Sequence, residues 1–315
     1  MSNNNFQQPV KIAFLICAIA WLLILSAADG ALARIRVVTT TEDLAAIARE
    51  VGGGLIQVES ITRGVQDTHF IEAKPSFMLK VNRADLLIHQ GLGLEIGWLP
   101  LLVTGGRNPQ VLEGQPGNLD LSRAIVPIEV PTGEVGRHMG DVHPEGNPHY
   151  PLDPENGPLM AGAIAQRLAE LDPKHQSAYQ ENQRRFANRI AAKLPEWKKR
   201  LAAVGPRVVV TYHPTWNYFL KRFGIENAGT LEPLPGVPPS PAHLGRLAET
   251  MKQRNVKVIL QANYFETRNA ELLAKKTGAR VLSMPVSVGG APGVENYFSL
   301  FDMLVERLAE ALRQP

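Results

Sequence analysis

Between Pro173 and Leu201 the chain carries apolar residues at helical spacing without a break: Tyr179, Phe186, Ile190, Leu194 and Trp197. Asp172 followed by Pro173 reads as an N-cap with proline in the first helical position. At about 1.5 Å per residue such a helix runs for roughly 45 Å, more than the width of one small domain. A rod of that length must reach across two bodies, so it constrains the fold more than any other feature. Pro195 has no backbone N–H and is expected to kink or interrupt it near its end. A second helical pattern, residues 157–171, leads into it.

On either side of this helical region strands alternate with helices. Before it, strands are expected at 35–40, 56–61, 85–89 and 110–112. Helices are expected from Glu42 to Val51, behind Thr41 and before the stop Gly52-Gly53-Gly54, and at 75–82. After Gly205-Pro206 the rhythm restarts, with strands at 207–211, 225–229, 256–261 and 280–284 and a last helix at 297–312. The expected fold class is α/β: two lobes, each with a mainly parallel sheet flanked by helices, joined by a long rigid helix. The segments are 1–33, 34–155 (N-terminal lobe), 156–204 (linking helices) and 205–315 (C-terminal lobe). Residues 113–155 are rich in Gly, Pro and His and read as a long, functional or mobile loop.

A chain of 315 residues has room for two such domains. Its formal net charge of +3 gives no electrostatic footprint for nucleic acid. At the N-terminus, Lys11, the apolar run 12–25 and Ala31-Leu32-Ala33 form a secretory signal pattern with cleavage after Ala33. An uncleaved anchor is the competing reading, although the run is short for a spanning helix. The single cysteine, Cys17, lies inside that run and does not look like a lipid-attachment site. A cleaved chain has no thiol, so any metal site must use histidine and carboxylate.

Three histidines stand in distinctive settings: His69 in Asp67-Thr-His-Phe, His149 in Gly146-Asn-Pro-His-Tyr, and His213 in Thr211-Tyr-His-Pro. His69 and His213 follow strands, one per lobe, and His149 closes the long loop. Ligands collect at the carboxyl ends of parallel strands, and three imidazoles suit Zn²⁺. A lone histidine is more often a hydrogen-bonded surface or core residue, and His89, His175 and His243 read as such. His138 and His143 lie in the long loop with Asp141 and Glu145; they read either as transient metal capture or as a solvated polar segment. Asp67 either orients the His69 ring or caps the following turn.

The segments Asp67-Thr-His-Phe-Ile-Glu-Ala-Lys-Pro75, Gly140-Asp-Val-His-Pro-Glu-Gly-Asn-Pro-His149, Leu152-Asp-Pro154, Tyr212-His213 and Glu232-Pro-Leu-Pro-Gly-Val-Pro-Pro-Ser240 resemble, in order, the motifs of metal-binding receptors of ABC importers. The resemblance implies a metal held between the lobes by His69, His149 and His213. It implies delivery of Zn²⁺ or Mn²⁺ to a membrane permease, from a periplasmic or extracytoplasmic location. Manganese receptors of the family tend to carry a carboxylate at the third position; His213 stands there instead and favours zinc. Many members supply an aspartate after the last strand, whereas residues 282–290 contain no carboxylate. The fourth position is then left to water, Glu232 or a loop residue.

Two other classes compete. A secreted zinc hydrolase would share an open three-histidine site, but the chain has no His-Glu-x-x-His helix and no Gly-x-Ser-x-Gly elbow. A structural or adhesive protein would use the metal only to brace its lobes. The receptor reading predicts a monomer, weaker zinc binding as pH falls through the histidine range near ~6.5, and ordering of the 113–155 loop on binding.

Overall fold

The computed structural model describes residues 34–133, 135–136, 139–205 and 207–313. The segment 1–33 read above as a secretory signal, and His138, lie outside these residues. Two four-stranded sheets carry the architecture. The first contains β1 (Ile35–Thr39), β2 (Ile56–Ser60), β3 (Leu86–His89) and β4 (Asn118–Asp120), in the order β2-β1-β3-β4. The second contains β5 (Val208–Thr211), β6 (Glu226–Thr230), β7 (Val258–Ala262) and β8 (Arg280–Met284), in the order β6-β5-β7-β8. The pairings β1–β3, β3–β4, β5–β6, β5–β7 and β7–β8 are all parallel. Central strands β5 and β7 are buried along their whole length, as expected of a sheet covered on both faces.

The helices among the described residues are α1 (Glu42–Gly52), α2 (Pro75–Arg83), α3 (Leu99–Gly106), α4 (Asn156–Leu171), α5 (Gln176–Ala202), α6 (Asn217–Phe223), α7 (Pro241–Gln253), α8 (Arg268–Thr277) and α9 (Tyr297–Arg313). Local chemistry sets their ends. Thr41 caps α1 by accepting from the Leu44 N–H, and Ser240 caps α7 by accepting from the His243 N–H.

The long helix is present as α5, entered through a 3₁₀ turn at Pro173–His175. It runs through Pro195 without ending there, so of the kink or interruption expected at that residue the interruption does not occur. Its two halves serve different lobes. Asn182 donates to the Val51 carbonyl at 2.8 Å, and Arg189 pairs with Glu50 at 2.8 Å, both on α1. Further along, the Trp197 indole donates to Asp302 at 2.8 Å and its ring packs on Phe301, both on α9. Arg189 touches both lobes at once, because its guanidinium also lies 3.9 Å over the Phe298 ring of α9.

One expected strand is absent. Residues 109–111 form a 3₁₀ turn, because Pro109 follows Asn108, whose side chain accepts from the Gln110 N–H. The fourth strand of the first sheet comes later, at Asn118–Asp120.

The lobes meet directly. Asp43, buried in the first turn of α1, accepts from the Val288 N–H at 2.9 Å. Gly64 passes so close to Val288–Gly290 that an added Cβ would lie 2.0 Å from the Val288 carbonyl oxygen. Among the described residues, no helix is long and apolar enough to cross a membrane.

Candidate metal centre

His213 lies two residues beyond β5, and His69 lies in the loop between β2 and α2. His149 ends the long loop, just before the 3₁₀ turn Tyr150–Leu152. These three histidines come together, each offering a ligand atom within 4.8 Å of the others. Ring centroids are 5.2 Å apart for His69 and His149, 5.5 Å for His69 and His213, and 5.4 Å for His149 and His213. The Nε2 atoms of His149 and His213 are 3.4 Å apart. Two nitrogens each bonded at 2.0–2.1 Å to one tetrahedral ion stand about 3.3 Å apart, so this separation already suits a shared cation.

Two of the three rings are held from behind. His69 Nδ1 is 2.8 Å from Asp67 Oδ1, which also accepts from the His69 backbone N–H at 3.0 Å. The loop itself is pinned by the Trp98 indole, which donates to the Thr68 carbonyl at 2.8 Å. His213 Nδ1 is 2.7 Å from Glu232 Oε2, which also accepts from the Gly236 N–H at 3.0 Å. A carboxylate on Nδ1 fixes the proton there and leaves Nε2 with a lone pair aimed at the site. His69 Nε2 is buried with no partner in the protein, as a ligand atom awaiting a cation would be.

His149 is held through its backbone. Its N–H donates to Asn147 Oδ1 at 2.9 Å, while the Asn147 amide donates to Glu129 and to the Pro214 carbonyl. That asparagine ties the loop to the C-terminal lobe, a link that no spacing in the sequence signals. Burial, reinforced by the neighbouring imidazoles, pushes the His149 ring well below the ordinary histidine range. Burial works to raise the Asp67 carboxyl, but its bonds to His69 outweigh this and hold it below the usual carboxylate range.

The remaining sequence candidates are placed as follows. Glu232 turns its oxygen to His213 Nδ1, behind the ligand face. His143 packs against His69, with ring centroids 5.5 Å apart; burial lowers its pKa to about 4. His89, His175 and His243 find partners elsewhere, in Asn118, Asp172 and the Thr230 carbonyl. Residues 282–290 hold no carboxylate, yet one reaches them from the other lobe: Asp43 bonds the Val288 N–H and lines the same cavity as His69, His149 and Ser287. Burial raises the Asp43 carboxyl to about 6.

The chain is also similar to known proteins. The profile of the family described as zinc-uptake complex component A, periplasmic, matches residues 37–311. FimA of Streptococcus parasanguinis, a metal ABC transporter substrate-binding lipoprotein, is 27% identical over 296 residues, 91% of this chain and 92% of that protein. PsaA of Streptococcus pneumoniae, a manganese ABC transporter substrate-binding lipoprotein, is 27% identical over 290 residues, 89% of this chain and 90% of that one. A crystal structure of ZnuA shares the fold, with a TM-score of 0.74 at 24% identity over 89% of this chain and 99% of that one. The chain belongs to the zinc-uptake complex component A family, whose members are metal-binding receptors of ABC importers and not enzymes.

Proposed function

We propose that this receptor works outside the cytoplasm as a monomer, captures Zn²⁺ between its lobes on His69, His149 and His213, and passes it to the membrane permease of its importer. The observation that carries the reading is the donor set: the described residues whose ligand atoms cluster within 4.8 Å are all histidines. Imidazole nitrogen suits zinc, whereas manganese favours carboxylate, carbonyl and water oxygens. Asp67 and Glu232 stand behind two of the rings, where they raise the basicity of the ligands and balance the charge of a divalent ion. The segment before residue 34 acts as the export signal.

Release is as important as capture. The cation is held by one histidine from each lobe plus one from the loop between them, so a small tilt of one lobe separates the ligands. The α5 rod bonds both lobes and limits that tilt. Equilibrium dialysis against equal Zn²⁺ and Mn²⁺, followed by metal analysis, tests the reading. One zinc per chain is expected, and manganese in its place would turn the assignment to the second metal, the one carried in the name of PsaA.

A further inference from the structure

We propose that His143 is a fourth imidazole ligand of this site, carried onto the metal by the segment 141–146. The inference rests on the metal-receptor reading above and adds a donor to it. The His143 ring stands 5.5 Å from His69, the same spacing as between His69 and His213. Its Nε2 is buried and has no partner, a property it shares with His69 Nε2.

The other ring nitrogen is accounted for. The ring takes a backbone hydrogen bond to Leu92, and its Nδ1 would lie 3.3 Å from a Cβ placed on Gly93. Gly91, Leu92 and Gly93 all have positive φ, a tight left-handed turn that brings this backbone up to the imidazole. With Nδ1 committed to the Leu92 carbonyl, Nε2 holds the lone pair. Backbone does here what Asp67 and Glu232 do for His69 and His213.

The segment is anchored at both ends. Asp141 donates its N–H to the Pro235 carbonyl at 2.8 Å, and the Gly146 N–H donates to the His143 carbonyl at 3.2 Å. A cavity of about 180 Å³ opens on this side, lined by His143, His149 and His213 together. His143 stands just outside the tight group of three, so it closes onto the ion after the other ligands have taken it. A fourth nitrogen supplies the donor that residues 282–290 lack, gives a closed tetrahedral set, and disfavours manganese.

The test uses the full chain loaded with one equivalent of Zn²⁺ or Co²⁺, as wild type, His143→Ala and His143→Asp. Zinc-edge X-ray absorption should count four imidazoles in the wild type and three in both variants, with an oxygen as fourth donor. Zinc affinity should fall on the order of 10–100-fold in His143→Ala, and the tetrahedral cobalt bands should change in the same variant. His143→Asp should keep four donors and shift preference toward manganese; it also serves if the alanine variant folds poorly. An unchanged spectrum and affinity in the variants, with three imidazoles in the wild type, overturns the role of His143 alone. A wild-type chain that takes up no zinc overturns the receptor reading as well.

Discussion

The two lobes are wound alike, but they build the site from different places. Both sheets have the second strand at one edge, then the first, third and fourth. In the C-terminal lobe the histidine follows the first strand, β5, and its carboxylate, Glu232, follows the neighbouring β6. In the N-terminal lobe the end of the first strand carries Thr40 and Thr41, which bond Glu95 and cap α1. There the histidine and its carboxylate share one loop beyond the edge strand β2. The repeated fold offers two equivalent strand-end clefts; the ligands occupy non-equivalent ends of them. His213 is thereby clamped between two strand ends, with side chains of the pair only 6% and 8% exposed, while Asp67 behind His69 is 23% exposed.

This asymmetry can be tested from the largest expected effect downward. His69→Ala and His213→Ala each delete the ligand that follows a strand in one lobe. Chelator-competition titration should show zinc affinity falling by more than the roughly 100-fold typical of losing an outer carboxylate. If one of them binds as well as wild type, its lobe does not contribute.

The carboxylates sharpen the contrast. Glu232→Ala and Asp67→Ala should each weaken zinc by about 10–100-fold, with Glu232→Ala the more costly. Its oxygen is the more buried and also holds the Gly236 N–H. Equal losses, measured in the same titration, would remove the distinction between clamped and loop-borne histidine.

Asp43 probes the seam between the lobes. Its carboxyl is raised to about 6 by burial, above an ordinary value of 3.8. The folded state therefore holds this proton more tightly than the unfolded chain. The stability it contributes is full below pH 3.8 and is lost as pH rises through about 6. Asp43→Asn keeps an oxygen for the Val288 N–H and cannot ionise. Relative to wild type it should gain on the order of 2 kcal/mol between pH 4 and pH 7. Denaturant melts of the metal-free proteins at the two pH values read this directly, and a constant difference would contradict it. The smallest effect is expected at Arg189, which spans both lobes from the outer face of α5. Arg189→Ala should cost about 1 kcal/mol, since it loses a partly exposed ion pair and a cation–ring contact.

Much of this was legible in the sequence, for physical reasons that differ by element. The α5 rod and the strands β5, β7 and β8 announce themselves because apolar periodicity reports burial directly. Residues 110–112 misled because an apolar residue beside a proline turn looks like a short strand; the deciding bond, from Gln110 to the Asn108 side chain, is local and unpatterned. The meeting of His69, His149 and His213 could be anticipated from strand ends. The direction in which Glu232 faces could not, because a carboxylate two residues past a strand can serve as ligand or support with identical spacing. His143 was readable as a loop histidine, either for transient metal capture or in a solvated polar segment; its ring packs near Gly93, which lies far away in sequence.

The central claim is zinc capture between the lobes, and competition of Zn²⁺ with Mn²⁺ for the purified chain at neutral pH tests it most directly. One tightly held zinc per chain is predicted, displaced neither by dialysis nor by excess manganese and lost in His213→Ala. A chain that retains manganese against zinc, or that binds neither in stoichiometric amount, would contradict it.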